Sequence, residues 1–338
     1  MKEKKENWQS IRGICILAVV LIHSLGGFNY STRYGTEFVV LRQIINFAVA
    51  TFVFMAGYFV NVDALSDKEF SYKHWIIYRG GRLCIPFMIW SLLYSGLELL
   101  KIVHSGNEIH WLGFVYRFIV GKSATPFYYI VVLVQLTVIT PWLVKTVKQN
   151  GVISRILWLV TPLYLMYLYA WNYIVGISPR LYETLFPAWF GFYYLGIHVR
   201  CGWKLKCNGY AAAGALALSC VEAVGLRAVG FDIGFYTSQI TVGSFLYSVT
   251  IIGWLLKKNE NNRSGCHLLS KIGDCSYGIF YIHMAVLMIV GRIIECENWY
   301  AYWALRFVLT SFISYIVVHL AQMALRNHKK LLRYIGFV

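Results

Sequence analysis

The sequence predicts an all-α integral membrane protein with about ten membrane-spanning helices. Hydrophobic residues make up 58% of the chain and charged residues only 14%, whereas a soluble domain carries about 25% charged residues. Aromatic residues reach 17%, which is typical where Trp and Tyr rings line membrane interfaces. Basic residues at the ends of spans explain the net charge of +16, so we expect the lipid bilayer, and no nucleic acid, as a partner.

Ten apolar segments have the length of about 20 residues that a helix needs to cross a bilayer. They lie near residues 8–27, 38–60, 75–100, 126–147, 153–171, 184–200, 209–226, 238–256, 274–294 and 299–325. The fifth and sixth are the weakest, because Pro162, Pro179 and Pro187 interrupt or flank them. We find no internal repeat, low-complexity segment or appended soluble domain, so residues 1–338 are expected to form a single transmembrane domain.

The distribution of Lys and Arg predicts the orientation of these spans. If the N-terminus is cytoplasmic, 22 of the 31 Lys and Arg residues fall on the cytoplasmic side. This bias predicts that both termini are cytoplasmic. The first segment is expected to be a retained span, since no clear cleavage site follows it. The eight cysteines lie mostly in spans or predicted cytoplasmic loops, so we expect neither a disulfide framework nor a metal site.

The first predicted span carries an arginine at one end and a histidine at the other. Between Arg12 and His23 the run is apolar. Eleven helical residues advance by about three turns and roughly 16 Å, so both side chains lie on nearly the same face. A histidine is suited to take a proton from a hydroxyl near neutral pH. The alternatives are a histidine hydrogen-bonded to a neighbouring helix and an arginine that anchors the span.

The third span begins with a second arginine motif. Arg79 and Arg82 are three residues apart, which places both guanidinium groups on one helix face. Gly80 and Gly81 leave room for the close approach of a ligand. Arginine forks match phosphate oxygens, so the pair is a candidate anion site. Positive-inside anchoring is the alternative.

Further polar groups in the spans are candidates for substrate contacts or for supporting the site. They are Ser276, Tyr277, His283, Asn46 and Gln135. Asp274 or Ser276 is expected to cap the ninth span, and His283 lies roughly 12 Å deeper on it. A packing role suits His283 equally, and Asn46 and Gln135 are better explained as bridges between helices.

Two apolar stretches also have predicted roles. Ala56 and Gly57, at the end of the second span, favour close helix packing. Residues 109–119, in the longest predicted outer connection, are expected to form a short helix lying in the outer interface.

Four stretches together resemble acyltransferase family 3, a family of integral membrane acyltransferases. They are Arg12 through His23, the aromatic block Phe52–Phe59, Arg79-x-x-Arg82 followed by Leu83 and Pro86, and Ser276 through His283. Their order and the number of spans match over nearly the whole chain. Two positions depart from the family pattern: Gln9 stands where an acidic residue is common, and Ala56 stands where serine is common.

The resemblance implies transfer of an acyl group, usually acetyl, from cytoplasmic acyl-coenzyme A to a carbohydrate or lipid-linked glycan. It also implies that His23 is the catalytic histidine, with Arg12, Arg79 and Arg82 as essential partners. We therefore expect a multi-pass O-acetyltransferase of the bacterial cell membrane. Arg79 and Arg82 would hold the phosphates of acetyl-CoA, and His23 would activate a hydroxyl of a surface polysaccharide or its lipid-linked precursor.

Two other functions fit parts of the same pattern. A carrier of anionic metabolites or glycans also has about ten spans with intramembrane His and Arg, but the sequence has no convincing inverted repeat. A membrane module with a binding role, similar to the membrane half of serine racemases that protect against glycopeptides, would carry a soluble catalytic domain that this sequence lacks.

Overall fold

The structure is a computed structural model that describes residues 2–26, 35–67, 69–260 and 266–337. All regular structure in these ranges is helical, apart from turns. The helices are α1 (Lys2–Ser24), α2 (Thr36–Ile45), α3 (Phe47–Tyr58), α4 (Tyr72–His104), α5 (Trp111–Ile119), α6 (Tyr128–Gln149), α7 (Val152–Ile156), α8 (Val160–Val175), α9 (Pro187–Arg200), α10 (Gly209–Val229), α11 (Ile233–Tyr236), α12 (Val242–Glu260), α13 (His267–Asp274), α14 (Ser276–Ile293), α15 (Trp299–Ala324) and α16 (Lys329–Tyr334).

The all-α membrane architecture is confirmed, and each of the ten predicted segments coincides with helix. In the described ranges, seven helical stretches are long and apolar enough to cross a membrane. They are Thr36–Tyr58, Tyr72–His104, Thr125–Gln149, Val152–Val175, Gly209–Val229, Ser276–Ile293 and Trp299–Ala324. α1, α9 and α12 occupy the other three predicted segments. The count of ten spans and the cytoplasmic position of both termini stay predictions.

Two glycines let α1 and α13 touch through their backbones. A Cβ atom added to Gly13 would lie 2.1 Å from the carbonyl oxygen of Leu269, and one added to Gly273 would lie 1.9 Å from that of Gln9. Real Cβ atoms do not approach so closely, so both positions require glycine. This contact fixes the position and rotation of α1, on which Arg12 lies one residue before Gly13.

A second glycine contact joins α3 to α9. A Cβ atom on Gly57 would lie 2.2 Å from the carbonyl oxygen of Tyr193, and one on Gly196 would lie 2.3 Å from that of Phe54. The close packing expected for Gly57 is therefore present. Small residues at such crossings let neighbouring membrane helices gain van der Waals contacts along their lengths.

The expected side-chain cap at the start of the ninth segment is wrong. α13 ends at Asp274, the chain passes through Cys275, and α14 begins at Ser276 without a capping hydrogen bond from a side chain. Cys275 itself has helical backbone angles. Because α13 leads almost directly into α14, the chain does not enter this helix through the extended residue that a side-chain cap requires.

Substitution of Gly57 by alanine is expected to destabilise the protein. The added methyl group forces α3 away from α9, at a cost of about 1–3 kcal/mol. Gly214→Ala is the matched control, because Gly214 lies inside α10 with no atom within 4 Å of an added Cβ. Thermal unfolding in detergent should give a lower midpoint for Gly57→Ala only; equal midpoints would contradict the packing argument.

Candidate active site

One cavity of about 690 Å³ extends along the inner face of α1. Both Arg12 and His23 line it, as their helical spacing predicts. Arg79 and Arg82 of α4 line the same cavity. We refer to the part around Arg12, Arg79 and Arg82 as the arginine end, and to the part around His23 as the histidine end.

The three guanidinium groups of the arginine end lie against aromatic rings. Each cation faces one ring centroid: Arg12 over Phe59 at 5.2 Å, Arg79 over Trp75 at 4.9 Å, and Arg82 over Tyr78 at 5.9 Å. In the part of the chain that the structure describes, none of the three forms an ion pair. Rings hold the cations by their faces, so N–H donors stay available for an anion.

Arg12 has a neutral hydrogen-bond partner on its own helix. Its Nη1 donates to Oε1 of Gln9 at 3.2 Å. A carboxylate at position 9 would neutralise the charge of Arg12, whereas the amide of Gln9 only orients the guanidinium group. Asp274 supplies an acidic group to the lining of the same cavity, without a contact within ion-pair distance of Arg12. The arginine end therefore keeps a net positive charge.

His23 lies beside a second histidine, His283 of α14. The two ring centroids are 5.3 Å apart. His283 is fully buried, and its Nδ1 lies 2.9 Å from the carbonyl oxygen of Ile279. Because a carbonyl only accepts hydrogen bonds, Nδ1 carries a proton, and in the neutral ring Nε2 has a free lone pair. This Nε2 is buried without a hydrogen-bond partner among the described residues.

The end of α1 that carries His23 is held by a buried cation that the sequence analysis did not single out. Arg306 of α15 is only 6% exposed, and its Nη1 donates to the carbonyl oxygens of Ser24, at 3.2 Å, and Gly26. A cation at a helix C-terminus is favourable because the free carbonyls there carry partial negative charge. The sequence does contain a signal for Arg306, because an ionisable residue inside an apolar span usually faces the protein interior.

Three further polar residues line the cavity at the histidine end and were not predicted from the sequence. They are Arg42, Glu183 and Gln239. Arg42 belongs to α2, whereas the other two lie in the loops before α9 and α12. Burial raises the pKa of the Glu183 carboxyl, although a hydrogen bond from Tyr182 and the nearby Arg42 oppose the rise. Hydrophobic periodicity places helices and not loop side chains, so the sequence carried little signal for these two loop residues.

Asn46 and Gln135 do not line the cavity; they hold the two loops that do. Nδ2 of Asn46 donates to the carbonyl oxygen of Ser238 at 2.8 Å, next to Gln239. Nε2 of Gln135 donates to that of Thr184 at 2.8 Å, next to Glu183. In these contacts each amide binds a loop and not a second helix, and the roles expected of both residues stay predictions.

Ser276 and Tyr277, at the start of α14, do line the cavity. The hydroxyl of Tyr277 lies 3.0 Å from that of Tyr281, and also 3.5 Å from the carbonyl oxygen of Arg82. Of the three candidates on this helix, Ser276 and Tyr277 therefore line the cavity. His283 does not line it and packs beside the ring of His23.

A model of acyltransferase family 3, described as an acyltransferase domain, matches residues 6–319. The chain belongs to acyltransferase family 3. This member of the family is therefore a multi-pass membrane acyltransferase. No curated protein and no solved structure matches the chain.

Replacement of Asn46 by alanine is expected to loosen the loop before α12 in this acyltransferase. The buried carbonyls of Thr237 and Ser238 would each lose one of two donors, at a cost of about 0.5–1.5 kcal/mol per hydrogen bond. Hydrogen exchange of residues 236–241 in detergent should become faster. Asn107→Ala, at an exposed position, is the control. Unchanged exchange in Asn46→Ala would contradict the anchoring role.

Proposed function

We propose that the protein transfers an acyl group, expected to be acetyl, from cytoplasmic acyl-coenzyme A to a hydroxyl of a surface polysaccharide or its lipid-linked precursor in a bacterial cell membrane. One observation supports this most strongly. A single cavity joins an end with three arginines to an end with a paired histidine. Acyl-coenzyme A has the matching asymmetry, with anionic phosphates at one end and a reactive thioester at the other.

The arginine end is proposed to bind the phosphates of the acyl donor. Arg79 and Arg82 present guanidinium groups from one face of α4, and Arg12 presents a third from α1. Roughly 16 Å of helix separates Arg12 from His23. An extended pantetheine arm is of the right order to cover that distance, so the thioester would lie near His23 when the phosphates are bound to the arginines.

His23 is proposed to act as general base on the acceptor hydroxyl. It would take the hydroxyl proton while the oxygen attacks the thioester carbonyl. The tetrahedral intermediate then expels the thiolate of coenzyme A, which receives the proton from His23. The products are an O-acyl ester and free coenzyme A, and no acyl-enzyme is required.

His283 is proposed to position His23. Its Nδ1–H is committed to the carbonyl oxygen of Ile279, so its Nε2 offers a lone pair in a buried place beside the His23 ring. No hydrogen bond joins the two rings in the described ranges; an N–H of His23 turned toward that lone pair would leave the other His23 nitrogen free to accept the hydroxyl proton. A hydrogen bond from one ring nitrogen of a catalytic histidine to a neighbouring residue fixes its tautomer.

The double variant Arg79→Ala with Arg82→Ala is expected to lose coenzyme A binding. Binding of coenzyme A to the wild type should raise its thermal unfolding midpoint in detergent, because a ligand stabilises the state to which it binds. Two phosphate contacts contribute roughly 1.5–3 kcal/mol each, so the stabilisation should disappear.

The matched control is Arg326→Ala with Arg333→Ala, which removes the same charge from exposed positions outside the cavity lining. It should keep the wild-type stabilisation. An unchanged dissociation constant in the Arg79/Arg82 variant would remove these residues from the donor site.

His23→Ala is expected to abolish acyl esters on the surface polysaccharide, since loss of a general base costs about 10²–10⁴-fold in rate. His283→Ala should lower the ester content less, because it only removes the positioning contact. His319→Ala, at an exposed position of α15, is the control. Normal ester content in His23→Ala cells with wild-type protein levels would contradict the catalytic role.

A further inference from the structure

We infer that the histidine end of the cavity is an acceptor subsite for a neutral, hydroxyl-rich sugar ring, bound by Arg42, Glu183 and Gln239. The inference rests on the proposed function and adds to it the chemical class of the ring that receives the acyl group. Among the polysaccharide units that the proposed function allows, it excludes rings that carry a carboxylate or phosphate.

Arg42 and Glu183 face the same end of the cavity without touching each other. Both line it, and their charges interact, yet no ion pair within 4.0 Å joins them in the described ranges. A cation and an anion held apart across a cavity leave room for a group between them. A hydroxyl suits this position, because it accepts a hydrogen bond from a guanidinium and donates one to a carboxylate.

Gln239 supplies a second, independent indication of a ligand. Its side chain is only 8% exposed, and its Oε1 has no hydrogen-bond partner among the described residues. Buried polar atoms are normally paired. Because Gln239 lines the cavity, a donor group of a bound molecule is the natural partner for this oxygen.

The hydrogen-bonding character of these polar groups, acceptor or donor, selects the ligand. The Glu183 carboxylate and the Gln239 amide oxygen both accept hydrogen bonds, so the ligand must donate at two points. A carboxylate or phosphate placed between Arg42 and Glu183 could accept from Arg42 but could not donate to Glu183, whose charge would repel it. Tyr128 and Trp189, stacked at 5.9 Å, add aromatic lining to this end of the cavity, which suits the apolar face of a sugar ring.

Hydrogen bonds hold the loops that carry Glu183 and Gln239 in place. The hydroxyl of Tyr182 lies 2.9 Å from the carbonyl oxygen of Gly234, in the helix that precedes the Gln239 loop, and 3.0 Å from Oε1 of Glu183. Nε1 of Trp189 donates to the carbonyl oxygen of Glu183 at 2.8 Å. Loop backbone held in this way loses little conformational entropy on binding, so the hydrogen bonds made from it contribute more fully to affinity.

The first experiment identifies the esterified sugar. Surface glycan from cells with the wild-type chain is compared, by mass spectrometry of its fragments, with glycan from cells that lack the protein. The ester that depends on the protein should lie on a ring without carboxylate or phosphate. Esters found only on uronic or phosphorylated rings would overturn the inference, whereas absence of any such ester would contradict the proposed function itself.

The second experiment separates the two ends of the cavity. Glu183→Gln and Gln239→Met keep the size of each side chain but remove a charge or an acceptor oxygen. Each should lower ester content about tenfold or more, as expected for a lost hydrogen bond to a charged or buried group. Stabilisation by coenzyme A in detergent should stay at the wild-type value, because the arginine end is unchanged.

Glu98→Gln is the control, since it removes a carboxylate that pairs with Arg117 outside the cavity lining. It should leave both readouts unchanged. Full ester content in Glu183→Gln and Gln239→Met cells would overturn the inference while leaving the proposed function intact. Loss of coenzyme A stabilisation in both variants would overturn it as well, because their effect would then not be confined to the histidine end.

Discussion

The backbone contact between α1 and α13 is the constraint on which the candidate site depends. At Gly13 and Gly273 the two helices approach more closely than any side chain allows. The contact fixes both the height and the rotation of α1, one residue after Arg12 and ten residues before His23. Because α1 is a continuous helix between those residues, one contact near its middle also sets the direction in which His23 points.

The C-terminal end of α1 is held by electrostatics instead of close packing. Arg306 donates to the carbonyls of Ser24 and Gly26, and Arg42 donates to that of Ile22. The carbonyls of Ile22 and Ser24 belong to the last turn of α1, where acceptors lack amide partners within the helix, and that of Gly26 follows it directly. Guanidinium groups from two other helices therefore bind the carbonyls on either side of His23. Their donors pair acceptors that would otherwise lie unpaired inside the protein.

Local periodicity made half of the site predictable. Helical spacing alone placed Arg12 and His23 on one face, and paired Arg79 with Arg82, because both relations lie within a single helix. Glu183 and Gln239 could not be predicted in this way. Their positions depend on hydrogen bonds from Gln135 in α6 and from Asn46 between α2 and α3, both distant in sequence, and such long-range contacts leave no periodic trace.

The separation of the arginine end from His23 has a kinetic consequence in the proposed reaction. The phosphates that the arginines would hold are the same before and after transfer, since only the thioester, roughly 16 Å away, changes. Binding of the phosphates therefore stabilises the substrate, the transition state and the product equally. Free coenzyme A would then compete with its acylated form for the empty enzyme, and turnover would follow the cytoplasmic ratio of the two forms more closely than the concentration of either.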